Sequence, residues 1–306
     1  MRYVTGRALN LGGCVIAVML LMLSTAAAQN RGQYILGTTG LNSGVQPRPG
    51  LSYTNIFTLN TGGQLVDAGG QELAGLRTPG LAVDQNIFAY TTGFKIFGGS
   101  YGVKLDVPMA DGAIAMSRPG ARSVAPALSD IYIEPFNIGW HLLTADLRVA
   151  YGFFAPTGAN RVTSDYWGHD ITAAATVYLN EKKSTSFSLN AILELHQKKR
   201  HQDVRVGNSL NVEYGVGSVV PVGKEAKTFL RLGVVGYLQW QLARDSGPNI
   251  PVRTDNPRDQ VFAVGPEVGV TVSPWKANLL FRYGKEVYVR NRGQGQTFAV
   301  SFSKYF

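Results

Sequence analysis

The sequence predicts an all-β fold: a transmembrane antiparallel β-barrel of about twelve strands, preceded by a cleaved signal peptide. Three observations lead to this prediction. Apolar and polar residues alternate over segments of roughly ten residues, the length that a tilted membrane strand needs and about twice that of a strand in an ordinary globular sheet. The gaps between these segments are long and short by turns. The chain also ends on an apolar strand that closes with Phe306.

Residues 1–28 have the composition of a secretory signal peptide. Arg2 and Arg7 give a positive start, an apolar run follows, and three alanines form a small-residue cleavage site. A retained helical anchor is the less favoured alternative, because the apolar run is shorter than the about 20 residues of a membrane span. Cys14, the one cysteine of the sequence, lies inside this segment. The mature chain is therefore expected to have no disulfide and no cysteine-ligated metal.

The charge balance of the chain is basic, with a formal net charge of +9. Basic residues often indicate nucleic acid as a partner. Here they are not gathered in one helix or tract, and the chain is predicted to be exported, so nucleic acid is not expected. Glycine is abundant, with 36 residues, and tyrosine and phenylalanine contribute 14 each. This composition suits strands that alternate between lipid and a polar interior.

Period-two alternation defines the individual strands. In one segment Phe187, Leu189 and Leu193 share a face, and Ser188 and Glu194 lie on the other. Twelve such segments are predicted, at residues 50–62, 81–96, 100–110, 128–140, 143–156, 166–180, 185–198, 208–222, 226–242, 259–272, 275–290 and 296–306. If the first strand runs outward, every long gap falls on the outer side and both chain ends face the periplasm. Outer-membrane barrels have short periplasmic turns and long outer loops.

The last predicted strand carries an apolar face that includes Phe302 and the terminal Phe306, interrupted by Lys304. This arrangement resembles the C-terminal signal of outer-membrane proteins, which implies that the barrel-assembly machinery reads Phe302 and Phe306. The alternative is a soluble edge strand that ends in phenylalanine by chance. That alternative would leave an apolar edge unprotected.

Ten charged residues fall on the predicted inner face of the barrel. Because charges in hydrocarbon are costly, they are expected to line the lumen. They are Lys104, Asp106, Glu134, Asp146, Arg148, Asp170, Glu213, Arg231, Arg282 and Glu286. Their mixed signs allow two interpretations: a wall that sets selectivity, or an ion-pair network that packs a filled barrel.

Residues 29–50 precede the barrel, residues 51–306, and contain Gly37, Gly40 and Gly44 together with two prolines. Such a segment cannot easily form a spanning strand. One hypothesis is that it folds into the lumen as a plug, and the alternative is a loose periplasmic tail.

Two surface features are predicted as well. A basic loop at the outer rim suggests lipopolysaccharide phosphates as a partner, with a solvated loop as the alternative; it contains Lys198, Lys199, Arg200, His201 and Arg205. Four tryptophans near strand ends are expected to form interfacial girdles in the lipids of the outer membrane; they are Trp140, Trp167, Trp240 and Trp275.

An enzyme is not expected. Ser164, His169 and Asp170 are close in sequence, but neighbouring residues of a strand point to opposite faces. The sequence has no Gly-x-Ser-x-Gly elbow, no His-Glu-x-x-His motif and no phosphate loop. No cofactor or metal is therefore predicted. An outer-membrane lipid hydrolase and a structural or adhesive barrel are competing hypotheses.

A series of short motifs extends over most of the mature chain. In order they are LGTTG at 36–40, PRPG at 47–50, DIYIEP at 130–135, GWH at 139–141, FAPTG at 154–158, GVVGY at 233–237, GPEV at 265–268 and RNR at 290–292. With the closing aromatic strand, they resemble the outer-membrane transporter family known as the meta-pathway of phenol degradation proteins. The resemblance implies a barrel through which hydrophobic or aromatic compounds pass passively into the periplasm. It supplies no site residue, and the charged lumen keeps a general polar-solute porin as an alternative.

Overall fold

The computed structural model describes residues 32–111, 126–159, 162–223, 225, 227–248, 250 and 257–306. The predicted signal peptide, residues 1–28, lies outside the described residues. Within the described ranges, no helix is long and apolar enough to cross a membrane.

Twelve antiparallel strands close into one barrel. Each strand pairs with its neighbours in the chain, and β1 pairs with β12 to complete the ring. The strands are β1 (Gly50–Asn60), β2 (Leu81–Ile96), β3 (Gly99–Asp111), β4 (Ile131–His141), β5 (Ala145–Ala155), β6 (Gly168–Tyr178), β7 (Thr185–His196), β8 (Ser209–Val222), β9 (Thr228–Gln241), β10 (Gln260–Val272), β11 (Ala277–Arg290) and β12 (Gln296–Tyr305). Closure satisfies the backbone groups that an open sheet edge would expose to lipid. The predicted fold class and the twelve strands are confirmed.

The faces of the barrel are reversed relative to a water-soluble protein. In β7, Phe187 and Leu189 are exposed, whereas Ser188, Asn190 and Glu194 are buried. Apolar side chains on the outside are stable in hydrocarbon, and the polar side chains point into the lumen. The period-two pattern of the sequence therefore corresponds to an outward apolar face and an inward polar face.

The connections separate into two ends of the barrel. Short ones lie at the end where β1 begins and β12 finishes, called here the periplasmic end; they are residues 97–98, 142–144, 179–184, 223–227 and 273–276. The connections at the opposite end, the outer end, are longer, as predicted, except for the short one at residues 291–295. Trp140 and Trp275 are at the periplasmic end and Trp167 and Trp240 at the outer end. This placement matches the predicted girdles.

The first long gap contains structure that the sequence pattern does not predict. Strands Gly63–Val66 and Glu72–Thr78 form a hairpin, and Gly293–Gln294 pairs with the first of them. A Cβ atom on Gly63 would lie 1.6 Å from the carbonyl oxygen of Gln294. Glycine is therefore required for this close approach, and the strands are too short to show a periodic signal.

Candidate functional site

Residues 32–49, called here the lumen segment, lie inside the barrel and are held at the outer end by Glu194. The backbone N–H groups of Gln33 and Tyr34 both donate to Glu194 Oε1, the second over 3.3 Å. The Gln33 amide also donates to Asp130 Oδ2 over 3.2 Å. The prediction that both chain ends face the periplasm is therefore wrong for this part of the chain, since the segment begins beside outer-end residues and descends to β1.

The middle of the lumen segment is bound by Glu213, which is fully buried. Its Oε1 accepts hydrogen bonds from the N–H of Gly37 at 2.8 Å and of Thr38 at 3.3 Å. Its Oε2 accepts from the N–H of Thr39 at 2.5 Å and from the Thr39 hydroxyl at 2.7 Å. One wall carboxylate thus satisfies three backbone donors that have no strand partner.

The lower part of the lumen segment meets several strands. Two of its carbonyl groups accept hydrogen bonds from arginines of the wall. Arg282 Nη1 donates to Thr38 O over 2.9 Å, and Arg231 Nη1 donates to Leu41 O over 3.3 Å. Gly44 N donates to Thr176 Oγ1 over 3.0 Å. A Cβ atom on Gly44 would lie 2.5–2.6 Å from backbone atoms of β5 and β6, so only glycine fits here. These contacts attach the segment to the wall along the length of the lumen.

All ten charged residues predicted to line the lumen are withdrawn from solvent. Asp106, Glu134, Asp146, Asp170, Glu213, Arg282 and Glu286 are buried, and Lys104, Arg148 and Arg231 are half-buried. The structure shows their positions; their role in selectivity stays a prediction.

Half of these ten residues lie in two small clusters of charges. Glu134 lies between Lys104 Nζ at 2.8 Å and Arg148 Nη1 at 3.7 Å. Glu267 lies between Arg282 Nε at 2.5 Å and Arg231 Nη1 at 3.5 Å. In each cluster two cations therefore share one carboxylate.

Other predicted residues lie outside these two clusters. Glu286 lies 3.5 Å from Arg292, and Asp146 lies 2.9 Å from His141 at the periplasmic end. Asp106 accepts from Gln85 Nε2 over 2.6 Å. The Oδ1 atoms of Asp106 and Asp170 have no hydrogen-bond partner among the described residues.

Charged residues of the lumen that the sequence prediction missed include Glu194, Glu267 and Arg292. Glu194 and Glu267 stand at inward positions of segments that alternate clearly, so periodicity could have identified them. Arg292 follows β11 in a loop, and it reaches Glu286 and Gln239 only in the folded barrel. For this residue the sequence contains no corresponding signal.

A partly enclosed space, the outer cavity, lies between the lumen segment and the wall in the outer half of the barrel. Its volume is about 250 Å³. Apolar residues supply much of its lining: Ile35, Ile56, Leu81, Val83, Ile87, Pro108, Ala110, Phe154, Val162 and Ile192. Asp106, Asp170 and Asn190 also line it, and each presents an oxygen without a hydrogen-bond partner among the described residues. The cavity thus combines an apolar wall with a few polar acceptors.

A larger space, the periplasmic vestibule, lies at the opposite end. It measures about 1130 Å³ and is lined by the lower lumen segment and by the periplasmic ends of the strands. Thr38, Thr39, Ile56, Lys104 and Arg148 line both spaces. The outer cavity and the vestibule are thus separated by little more than one turn of the lumen segment and the side chains beside it.

The basic loop at the outer rim is partly neutralised by acidic neighbours. Lys198 lies 2.5 Å from Asp203, and Arg200 and His201 lie 3.3 Å and 2.7 Å from Asp165. Partial burial opposes ionisation of Asp165, but hydrogen bonds from His201 and Arg200 outweigh it and hold the pKa of this carboxyl below its ordinary value. Lipopolysaccharide as a partner of this loop stays a prediction, and the internal pairing weakens the case for it.

The residues considered for hydrolysis do not meet. The His169 ring bonds the hydroxyl of Tyr151 at 2.9 Å, whereas Asp170 is buried in the lumen. The backbone N–H of Ser164 donates to Asp130. Among the described ranges, no group of three or more His, Cys, Asp or Glu residues is placed to hold a metal ion.

Phe302 and Phe306 are exposed, by 43% and 64%. Phe302 lies in β12 and pairs with Asn55 of β1, where the ring closes. Their reading by the assembly machinery stays a prediction.

The closed ring, the apolar outer face and the polar lumen define an outer-membrane β-barrel. Comparison with family models matches residues 60–302 to the family described as "Putative MetA-pathway of phenol degradation". The chain belongs to this family, which confirms the resemblance seen in the sequence. Comparison with curated protein sequences gives no match.

Solved structures support the fold. The chain is similar to the COG4313 outer membrane channel from Pseudomonas putida F1, with 13% identity and a TM-score of 0.66 over 87% of this chain and 98% of that one. It is also similar to the β domain of the Bordetella autotransporter BrkA, with 12% identity and a TM-score of 0.50 over 85% and 100%. At these identities the similarity concerns the fold alone.

Proposed function

We propose that this barrel is an outer-membrane channel through which small neutral aromatic or hydrophobic compounds pass passively into the periplasm. The outer cavity is the observation that carries the proposal. An apolar cavity of about 150 Å³ is enough to bind benzene. The outer cavity, at about 250 Å³, therefore has room for a one-ring aromatic with a small substituent.

The lining of the outer cavity favours a neutral ligand over an anion. Ile56, Val83 and Ile192 provide apolar contact, and Asp106 and Asp170 contribute acidic side chains to the lining. An aromatic carboxylate would meet these acidic groups unfavourably. An uncharged ring suits the apolar part of the lining. A hydroxyl group on that ring suits the acidic part.

The lumen segment acts as the plug of this channel. Thr38 and Thr39 lie between the outer cavity and the vestibule, and both are bound to Glu213. A compound in the outer cavity reaches the periplasm when this stretch moves aside. The proposed route thus runs from the outer cavity, past Thr38 and Thr39, into the vestibule.

A lipid hydrolase is disfavoured because His169 and Asp170 lie on opposite faces of β6. A general porin for polar solutes is disfavoured because the lumen segment fills the centre of the barrel. Lipopolysaccharide and outer-membrane lipids are proposed partners of the rim and of the outer face, respectively, with aromatic compounds as the transported ligands.

The test is uptake by intact cells, where lipopolysaccharide keeps the passage of hydrophobic compounds through lipid slow. We expect radiolabelled toluene to enter faster into cells that produce the protein than into cells that lack it. Val83→Trp fills the outer cavity and should reduce this uptake roughly tenfold, the effect of losing about 1.4 kcal/mol of apolar contact at a site. The control is Val149→Trp, at a residue that is 38% exposed on the outer face.

Equal loss of uptake in both tryptophan variants would contradict the proposal, as would uptake at the level of cells without the protein. Liposome swelling supplies the comparison with a porin. Entry of arabinose at the rate of an open porin would favour the polar-solute alternative.

A further inference from the structure

The outer cavity and the periplasmic vestibule have opposite charge. The basic residues that line the vestibule are Arg48, Lys104, Arg148, Arg231, Lys276 and Arg282. No Asp or Glu among the described residues lines it. The outer cavity is lined by Lys104 and Arg148 but also by Asp106, Asp130, Glu134 and Asp170. Of the two spaces, only the vestibule is therefore lined by Lys and Arg side chains without acidic ones.

In the two ion-pair clusters beside the vestibule, cations outnumber carboxylates. Glu134 faces both Lys104 and Arg148, and Glu267 faces both Arg231 and Arg282. Each cluster taken by itself has two cations and one carboxylate. Asp106, Asp170 and Glu213 are further carboxylates of the lumen, but none of them lines the vestibule. Arg48 and Lys276, which are exposed at the mouth of the vestibule, add further cations.

Two of these arginines have unused hydrogen-bond donors. The Nε atoms of Arg148 and Arg231 are buried, and neither has an acceptor among the described residues. Leaving a buried donor without a partner costs about 1–3 kcal/mol. The Nε atoms themselves are not accessible, but 14% of the Arg148 side chain and 12% of the Arg231 side chain remain exposed. A carboxylate that enters the vestibule meets these exposed parts and balances the positive charge of the lining.

The vestibule also offers apolar contact beside the arginines. Leu41, Val45 and Pro47 of the lumen segment line it together with Leu280 of the wall. Arginine presents a planar fork that matches the two oxygens of a carboxylate. A ligand with a carboxylate and an apolar body therefore fits the lining better than a small inorganic ion.

We propose that the periplasmic vestibule is a binding site for small organic carboxylates with an apolar body, of which a one-ring aromatic acid is the simplest. Arg148 and Arg231 bind the carboxylate, and the apolar residues of the lumen segment contact the ring. The ligand enters from the periplasmic side, because the route from outside leads through the acidic outer cavity. This site goes beyond the passage of neutral compounds and does not depend on it.

The test uses the purified full-length barrel in detergent at low salt, with benzoate as the probe and benzyl alcohol as its uncharged analogue. Isothermal titration should detect binding of benzoate at millimolar concentration and much weaker binding of benzyl alcohol. Arg148→Gln and Arg231→Gln should each weaken benzoate binding by roughly tenfold, the loss expected for one charged hydrogen bond. Each variant leaves Glu134 or Glu267 with one cation, so the barrel is expected to fold, which a heat-modifiability gel verifies.

Lys198→Gln is the matched control, because it removes one positive charge at the outer rim. It should leave benzoate binding unchanged. The proposal is overturned if benzyl alcohol binds as tightly as benzoate, if no benzoate binds at millimolar concentration, or if the folded arginine variants bind benzoate like the wild type. It is also overturned if Lys198→Gln weakens binding as much as they do.

Discussion

Glu213 holds the middle of the lumen segment, and replacing it with alanine is expected to free that segment. The carboxylate is fully buried and accepts four hydrogen bonds, at 2.5–3.3 Å, from Gly37, Thr38 and Thr39. Among the described residues, no cation lies within ion-pair distance of it, so these bonds are its main compensation for burial. Glu213→Ala leaves three backbone N–H groups without an acceptor in the interior of the barrel.

The size of the effect follows from the number of bonds. A hydrogen bond to a charged group contributes about 1.5–3 kcal/mol, so four sum to at least ~6 kcal/mol. Bonds that share one acceptor are not additive, which lowers this sum. Even a quarter of it, ~1.5 kcal/mol, raises the ratio of displaced to bound segment by about tenfold.

Thiol labelling measures this ratio. The one cysteine of the sequence is Cys14, in the predicted signal peptide, so Thr38→Cys gives the mature chain a single thiol. Thr38 is 7% exposed, and its replacement keeps the backbone N–H that Glu213 accepts. A water-soluble maleimide should react at least tenfold faster in the Glu213→Ala background than in the wild-type background.

Glu225→Ala provides the control, since Glu225 lies in an exposed periplasmic turn and pairs with Lys227 at 2.5 Å. It should leave the labelling rate unchanged. If Glu213→Ala also leaves it unchanged while the barrel remains folded, then Glu213 does not hold the segment and the reasoning above is refuted.

Two further predictions concern the lumen segment and the outer rim. Gly44→Val should also accelerate labelling of Thr38→Cys, because the valine Cβ would lie 2.5–2.6 Å from the backbone of β5 and β6. The control is Gly93→Val, at a glycine with open space around it, which should leave the labelling rate unchanged. Equal labelling rates in the two variants would contradict the prediction. In an NMR titration the Asp165 carboxyl should have a midpoint below the ordinary value of about 3.9, because His201 and Arg200 lower its pKa. Because the pKa of Asp165 is lower in the folded protein than in the unfolded chain, its ion pairs stabilise the fold fully at a pH above the ordinary pKa. This stabilisation is lost as the pH falls through the lowered pKa. Arg200→Gln should raise the midpoint, and a wild-type midpoint at or above the ordinary value would show that the contact is absent.

The sequence by itself determined the barrel. Period-two alternation follows from the geometry of a strand with lipid on one side and a polar lumen on the other, and each segment long enough to cross the membrane shows it. The predicted strand 81–96 coincides with β2, and the other predicted strands differ from the observed ones by at most a few residues. Long and short gaps are equally visible along the chain, because an antiparallel barrel places alternate connections at opposite ends.

The positions of single charged residues were also accessible from the sequence, because inward and outward positions alternate strictly. Which charges meet was not. Glu134 pairs with Lys104 across β3 and β4, and Glu267 with Arg282 across β10 and β11, through the register between strands. Arg231 reaches Glu267 from a third strand. Register depends on how twelve strands stagger together, and no local pattern encodes it.

The course of the lumen segment was decided by the tertiary structure alone. Its glycines and prolines exclude a spanning strand, yet they do not distinguish a plug from a periplasmic tail. Glu194, Glu213 and Arg282, which bind it, lie more than 150 residues further along the chain. Only closure of the barrel brings these side chains around one axis. The same closure separates an acidic outer cavity from a basic vestibule, because charge in the lumen depends on which distant residues face the same space.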